Sequence, residues 1–257
     1  METLASKTAF ITGGSTGIGL GMATIFARHD MNVVITDIRD DALAIAEQHL
    51  KQITERVLTL NVDSTDLDSL TTAAKAVERT FGPLHLLCNN AGVTGGAKVL
   101  DTPEERWRMT HEVNFWGPHN GIKVFLPGML EHGEDAHIVN TASFSGIHGH
   151  GHQSGYGTSK FALVGLSEFL RNDLADTNVG VSVLCPHVVD TPIIKALKTR
   201  VSEDVAEMID DMAVAAETVG SQVARAVLAN EFYIFCAITP VLRVAQRCWI
   251  HPKNDGA

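Results

Sequence analysis

Thr12-Gly13-Gly14-Ser15-Thr16-Gly17-Ile18-Gly19 lies between the apolar run Ala9-Phe10-Ile11 and a helix-spaced apolar stretch through Met22, Ile25 and Phe26. The order reads as strand, glycine-rich turn, helix. Gly13 permits the tight turn, Gly17 lets a phosphate approach the backbone, and Gly19 allows the helix to pack closely on the strand. With Ser15, Thr16 and Ile18 around it, the helix N-terminus offers unpaired N–H donors to a pyrophosphate. Glycine-rich turns are common, and the context is what makes this one specific. A second apolar run, Asn32-Val33-Val34-Ile35-Thr36, ends in Asp37, 18 residues after Gly19. A carboxylate at that strand tip can accept hydrogen bonds from an adenosine ribose and repels a 2′-phosphate. The plainer alternative is a loop acid or a cap for the next helix.

Outward from the turn the chain keeps alternating. Strands are expected at 8–12, 32–36, 56–60, 84–88, 136–141, 179–184 and 232–236, with helical patterns between them. That rhythm predicts an α/β fold, a doubly wound parallel sheet of about seven strands with helices on both faces. At 257 residues and 45% hydrophobic content the chain can bury one large core, and no linker, low-complexity tract or fixed-period repeat divides it, so one domain spanning 1–257 is expected.

Tyr156 and Lys160 stand four apart in Tyr156-Gly157-Thr158-Ser159-Lys160, 13 residues after Ser143. If the following run Phe161-Ala162-Leu163-Val164-Gly165-Leu166 continues a helix, the two side chains share a face. A free tyrosine, with a pKa of about 10, is a poor base at neutral pH, and a neighbouring ammonium favours the phenolate. Alone, such a pair is usually just two exposed residues; the glycine turn gives it weight.

Taken together these residues resemble the short-chain dehydrogenase/reductase family in its one-domain branch. The resemblance runs from Lys7 to about Ile194 and includes Asn89-Asn90-Ala91-Gly92, Asn114 in Val113-Asn114-Phe115-Trp116-Gly117, and Ser143 in Asn140-Thr141-Ala142-Ser143. It implies a nicotinamide dinucleotide bound at the glycine turn and hydride transfer between a secondary alcohol and its ketone. Tyr156 is then the general acid/base, and Ser143 holds the substrate oxygen and stabilises developing charge. Lys160 lowers the tyrosine pKa and donates to the nicotinamide ribose, and Asn114 holds a water that connects Lys160 to solvent.

By the same resemblance Val62 lies beside the adenine and Asp63 reaches its amine, although Asp63 equally suits a turn that caps the helix after Ser64. Asn90, Ala91 and Gly92 bring backbone close to the adenosine ribose. In Cys185-Pro186-His187-Val188-Val189-Asp190-Thr191, Val189 packs near the nicotinamide and Thr191 hydrogen-bonds its carboxamide. His187 is a departure, because the family usually has glycine after that proline. NAD is favoured over NADP because Asp37 is present while Ser15, Thr16 and Ile38 offer no cation, with Arg39 as the residue that can swing back toward a 2′-phosphate.

His148, His150 and His152 alternate along one segment and, with His137 and His187, make the presumed site rich in imidazole. Three such rings can ligate a metal, but the glycines between them loosen the segment and the implied chemistry needs none, so contacts of His150 and His187 to polar substrate groups are expected instead. After Thr191, the apolar positions Ile193, Ile194, Leu197, Val201, Val205, Met208, Ile209 and Met212 recur at helical spacing, which predicts two short helices forming a lid at about 190–215. An apolar lid suits a small hydrophobic alcohol or ketone, aromatic or polycyclic; helices that simply pack on the sheet or on a second subunit fit the pattern equally. The tail from Phe232 onward lacks the family's common ending and somewhat resembles that of bacterial Cα-dehydrogenases.

A net charge of −10 argues against a nucleic-acid surface. Cys88, Cys185 and Cys236 sit in apolar runs and read, apart from the distant Cys248, as small buried hydrophobes rather than disulfide partners or zinc ligands. No leader pattern opens the chain and no membrane-spanning run occurs in it, so cytoplasmic residence is expected, with a homodimer or homotetramer implied by the resemblance. Three functions compete: an NAD-dependent alcohol dehydrogenase, an NADP-dependent carbonyl reductase, and a non-catalytic dinucleotide-binding scaffold. The last is disfavoured by the intact set Asn114, Ser143, Tyr156 and Lys160.

Overall fold

The computed structural model describes residues 1–199 and 202–236. Seven parallel strands form one sheet: β1 (Thr8–Thr12), β2 (Asn32–Asp37), β3 (Val57–Asn61), β4 (Leu86–Asn89), β5 (Ala136–Thr141), β6 (Val179–Cys185) and β7 (Tyr233–Phe235). Their spatial order is β3-β2-β1-β4-β5-β6-β7. Every expected strand is present, with ends displaced by no more than two residues. The fourth shifts most, because Pro83 precedes it and the ladder opens only where Leu86 pairs with Ala9.

Between the strands run α1 (Gly17–Arg28), α2 (Asp40–Lys51), α3 (Leu67–Phe81), α4 (Glu104–His111), α5 (Gly117–Glu131), α6 (Ser154–Asp173), α7 (Pro192–Lys198), α8 (Glu203–Met212) and α9 (Ala216–Ala229). Central strands are buried along their whole length, as a sheet covered on both faces requires. Period-two alternation assigns the faces. Ile11, Val33, Ile35 and Leu86 pack with Met22 and Phe26 of α1 and Val223 and Val227 of α9. Phe10, Val34, Leu87 and Ile138 face the other way, toward Val77 of α3, Phe125 and Met129 of α5, and Leu170 of α6. Phe10 and Phe125 meet with ring centroids 4.6 Å apart. Each such fully buried side chain contributes roughly 1.5–3 kcal/mol.

One close approach was not expected. α1 and α9 touch through Gly21 and Gly220, where a methyl group on Gly21 would lie 2.3 Å from the Ala216 carbonyl oxygen. Cys88, Cys185 and Cys236 are buried free thiols. Cys248, Val201 and the tail beyond Cys236 lie outside the described residues, as does the side chain of Leu197. Among the described residues no helix is long and apolar enough to cross a membrane.

β1 sends the chain outward to β2 and β3, and β4 resumes on its opposite side. The carboxyl ends of β1 and β4 therefore bound the crevice at the topological switch point, where open α/β sheets bind ligands.

Candidate active site

The turn leaving β1 is locked from several sides. Gly13 and Gly17 take φ of +61° and +55°, which side chains rarely adopt. Thr12, not singled out from sequence, is the hub: its hydroxyl accepts from the Asn90 and Ala91 amides, each at 2.9 Å. The Asn90 side chain donates back to the Thr12 and Gly13 carbonyls at 3.0 and 3.2 Å. Gly19 packs closely, but against the turn itself rather than the strand, since a methyl there would stand 2.2 Å from the Gly13 carbonyl oxygen. α1 has no side-chain cap at Thr16, so its leading N–H groups remain free for a phosphate. Thr191 closes over Gly17, its methyl 3.0 Å from where a Gly17 Cβ would be. The residues present thus fit a dinucleotide: a cradle too tight for side chains, facing an uncapped helix.

Asp37 ends β2 buried beside Ser15, whose hydroxyl donates to it. Arg39 does swing back. Its Nε lies 3.0 Å from Asp37 Oδ1, and one guanidinium nitrogen reaches Ser15 Oγ at 3.1 Å and Thr16 Oγ1 at 3.3 Å. Burial works to raise the Asp37 pKa, but the hydrogen bonds from Arg39 and Ser15, with the guanidinium charge, outweigh it and hold the carboxyl below its ordinary range. A cation therefore touches the ribose-side residues that the sequence showed without one. Val62 is buried behind this edge. Asp63 is exposed and accepts from the Thr65 amide and hydroxyl at 2.9 and 2.8 Å. It makes the turn but not the cap; Asp66 caps α3 by accepting from the Asp68 amide.

At the other end of the crevice, Ser143 lies two residues past β5 while Tyr156 and Lys160 lie on the first turns of α6. The expected i, i+4 pairing holds: Lys160 Nζ stands 5.8 Å from the Tyr156 ring centroid. It sits over the ring and donates to the Thr141 carbonyl at 2.8 Å. The expected depression of the tyrosine pKa is not what the protein alone provides. Burial pushes Tyr156 above its ordinary value of 10, opposed by the Ser143 hydroxyl, and burial pushes Lys160 down to about 8. Desolvation disfavours the charged form of both, and an ammonium placed over the ring face couples weakly to the phenol oxygen.

Asn114 is fully buried in a π-helical turn, Glu112–Trp116, that joins α4 to α5. Such turns are rare and concentrate at functional sites. Its amide accepts from Val93 N at 2.8 Å and donates to Val93 O at 3.0 Å and Ser159 Oγ at 3.1 Å. The side chain is therefore committed to holding the loop after β4 against α6. Gly92 brings backbone between Asn114 and Lys160, its Cβ position 3.2 Å from Asn114 Oδ1 and 3.5 Å from Lys160 Nζ. Thr141 and Ser159 were missed from sequence; their only signal was adjacency, two residues before Ser143 and one before Lys160.

The imidazoles divide into two groups. His137 is buried at the start of β5, the end of the strand remote from Ser143, and bonds Ser182 Oγ at 2.7 Å, so its expected place in the site is corrected. Residue spacing along a strand does not reveal which end a side chain joins. His148 and His187 flank Phe144, with ring centroids 5.5 and 5.1 Å away, and Phe144 N donates to Pro186 O at 2.9 Å. His150 Nε2 lies 3.5 Å from Ser145 Oγ and 3.2 Å from Gln153 Oε1. His152 is exposed with φ of +66°. Among the described residues no three His, Cys, Asp or Glu side chains converge on a point that would hold a metal. The two expected helices past Thr191 exist as α7 and α8. They are joined by Lys198 and Asp210 and docked by pairing of Val189 with Val214. Ile193, Val205 and Met208 are exposed on them while Ile209 is buried.

A parallel sheet with this strand order, this turn and this crevice defines a Rossmann-type dinucleotide-binding protein. The sequence profile of the family described as short chain dehydrogenase matches residues 7–202. The chain is 35% identical to 1-deoxy-11-beta-hydroxypentalenate dehydrogenase of Streptomyces exfoliatus over 234 residues, 90% of this chain and 83% of that one. It is 32% identical to trans-4-hydroxycyclohexanecarboxylate dehydrogenase of Sinomonas cyclohexanicum, covering 77% and 78% of the two chains. A short chain dehydrogenase/reductase from Burkholderia phymatum, solved with NAD, superimposes with a TM-score of 0.86 at 30% identity over 100% and 99% of the chains. A variant of actinorhodin polyketide ketoreductase, solved with NADPH, gives 0.85 at 27% identity over 91% and 97%. This chain belongs to the short-chain dehydrogenase/reductase family, oxidoreductases acting on alcohols and ketones.

Proposed function

We propose that the protein is an NAD-dependent oxidoreductase that interconverts a hydrophobic cyclic secondary alcohol and its ketone, with Tyr156 moving the proton. The observation that carries this reading is the gathering of Ser143, Tyr156 and Lys160 at the end of the crevice opposite the locked glycine turn. A bound nicotinamide supplies the hydride acceptor or donor. The Ser143 hydroxyl orients the substrate oxygen, and the Tyr156 hydroxyl gives its proton to that oxygen in reduction and, as phenolate, removes it in oxidation. Lys160, fixed by the Thr141 carbonyl, would donate to the nicotinamide ribose. α7 and α8 carry the exposed apolar side chains Ile193, Val205 and Met208, which would cover a hydrophobic substrate if the helices close on it. The relatives named for hydroxypentalenate and hydroxycyclohexanecarboxylate support a cyclic alcohol.

Asp37 supports NAD, because a buried carboxylate held in its charged form repels a 2′-phosphate. Arg39 favours the second reading, an NADP-dependent carbonyl reductase, by laying its guanidinium on Ser15 and Thr16. We also infer a cytoplasmic homo-oligomer. Phe161, Gly165 and Phe169 form one stripe along α6, and Phe169 is 74% exposed, so association through this face accounts for the exposed rings; sedimentation of a monomer would refute it.

The test is turnover. Cyclic secondary alcohols with NAD are expected to yield NADH, and Tyr156→Phe is expected to lose about 10² to 10⁴ in kcat while NAD still binds. Full activity in that variant overturns the assignment of Tyr156, and tighter binding of NADP than of NAD overturns the cofactor.

A further inference from the structure

We propose that His148, His150 and His187 form a collar at the mouth of the cleft that binds a carboxylate carried by the substrate on the side of its ring away from the carbinol carbon. The inference rests on the reading of Ser143 and Tyr156 as the groups that meet the reacting oxygen.

The collar is built on the two residues that follow Ser143. Phe144 is flanked by the rings of His148 and His187, and Ser145 carries His150 through its hydroxyl. Ser145 also donates its amide to Ser143 Oγ at 3.1 Å, so the serine that meets His150 and the oxygen-binding serine belong to one turn. The Pro186 carbonyl fixes Phe144 from the loop after β6, which brings His187 to the same ring that His148 meets. A substrate oxygen at Ser143 therefore leaves the remainder of the molecule facing the rings.

An anion fits this collar better than a metal or a neutral group. An imidazole offers an N–H donor in either protonation state and a full charge when protonated. Burial first, and then the neighbouring His150, hold the His187 pKa down, and a carboxylate seated beside the ring would oppose that shift. Among the described residues, no carboxylate forms an ion pair with any of the three; Asp190, the acid nearest in sequence, pairs with Lys195 at 3.2 Å. The same three rings do not converge as metal ligands. None of the three rings is thus neutralised by an acid among the described residues, and His150 Nε2 meets only the uncharged oxygens of Ser145 and Gln153, in a chain whose net charge of −10 would otherwise repel an acid. The apolar surface of Phe144 remains for the hydrocarbon.

The experiment compares trans-4-hydroxycyclohexanecarboxylate with its methyl ester under NAD. The wild type is expected to prefer the acid in kcat/KM by about ten- to hundredfold, the range for hydrogen bonds to a charged group, and the double variant His150→Gln/His187→Gln is expected to lower that ratio at least tenfold. A ratio that the double variant leaves in place, or a wild type that prefers the ester, overturns the collar while leaving the dehydrogenase reading intact. If neither compound is oxidised, the dehydrogenase reading is the one that suffers for this ring. The collar is then judged by calorimetric titration of the NAD-loaded protein with cyclohexanecarboxylate and with the neutral cyclohexanecarboxamide. Carboxylate binding weakened about tenfold by the double variant supports it; equal affinity for acid and amide, or no binding of the acid, overturns it.

Discussion

The two ends of the cleft are built on opposite principles. At the glycine-turn end, Thr12 bonds Asn90 and Ser15 bonds Asp37 and Arg39 at three strand tips, and a single added methyl meets backbone at 2.2 Å. At the substrate end, Gly149 and Gly151 have nothing within 4 Å of a Cβ, His148, His150 and His152 are exposed, and α7 and α8 turn Ile193, Val205 and Met208 to solvent. A ligand shared across a family calls for a preorganised cradle. A substrate peculiar to one member is met by loops that scaffold constraints leave alone.

The sharpest way to break this comparison is to add the same methyl at each end. Gly19→Ala drives Cβ into the Gly13 carbonyl and the Asn90 amide, neither of which can yield without opening the turn. The expected cost is about 3 kcal/mol in urea denaturation, with dinucleotide binding lost. Gly151→Ala, in open space, should fall within about 0.5 kcal/mol of wild type and keep binding. Equal costs at the two positions would mean that the apparent contrast in rigidity is false.

What the sequence disclosed divides along the same line. The turn, the strands and the Tyr156/Lys160 pair were legible because each is local: a turn needs glycine where it bends, and a helix puts i and i+4 together. What escaped depends on distant segments meeting. Thr12 became a hub only when β4 arrived beside β1, and Gly21 and Gly220 mattered only once α9 crossed α1. Arg39 was read as a side chain that can swing back, and only the fold showed it lying on Ser15 and Thr16. The lowered Tyr156 pKa expected from sequence is not what the protein alone gives, since spacing along a helix does not disclose the burial that outweighs the Ser143 hydrogen bond.

The histidines extend the contrast and give the next effect. His137 is fully buried, and burial first, then the N-terminal and Arg171 charges, push its pKa down to about 3. The unfolded chain, with an ordinary value near 6.5, binds the proton that the folded state refuses, so this contribution to stability is complete above about pH 6.5 and is lost as pH falls toward 3. At pH 5 the loss relative to pH 7 is about 2 kcal/mol. His137→Gln should flatten that part of the stability profile measured by urea denaturation, whereas His150→Gln on the exposed loop should shift stability by no more than about 0.5 kcal/mol. A profile that His137→Gln leaves unchanged would show that the imidazole is not held neutral in the sheet.

The smallest expected effect tests a polar contact at the cofactor end that reaches solvent. Arg39 is half exposed, so its ion pair with Asp37 is screened and contributes at most about 1 kcal/mol. Among the described residues it is the only cation whose side chain contacts Asp37, Ser15 and Thr16 together. Removing it in Arg39→Leu leaves the carboxylate to repel a 2′-phosphate with nothing to offset it. NADP affinity should then fall about three- to fivefold in a fluorescence titration, while NAD affinity, which depends on the Asp37 oxygens rather than the guanidinium, changes less than about twofold. The two affinities moving together would mean that Arg39 serves the turn as a structural clamp. A rise in NADP affinity would show that Asp37 is not the group that excludes the phosphate, and with it the preference for NAD would lose its physical basis.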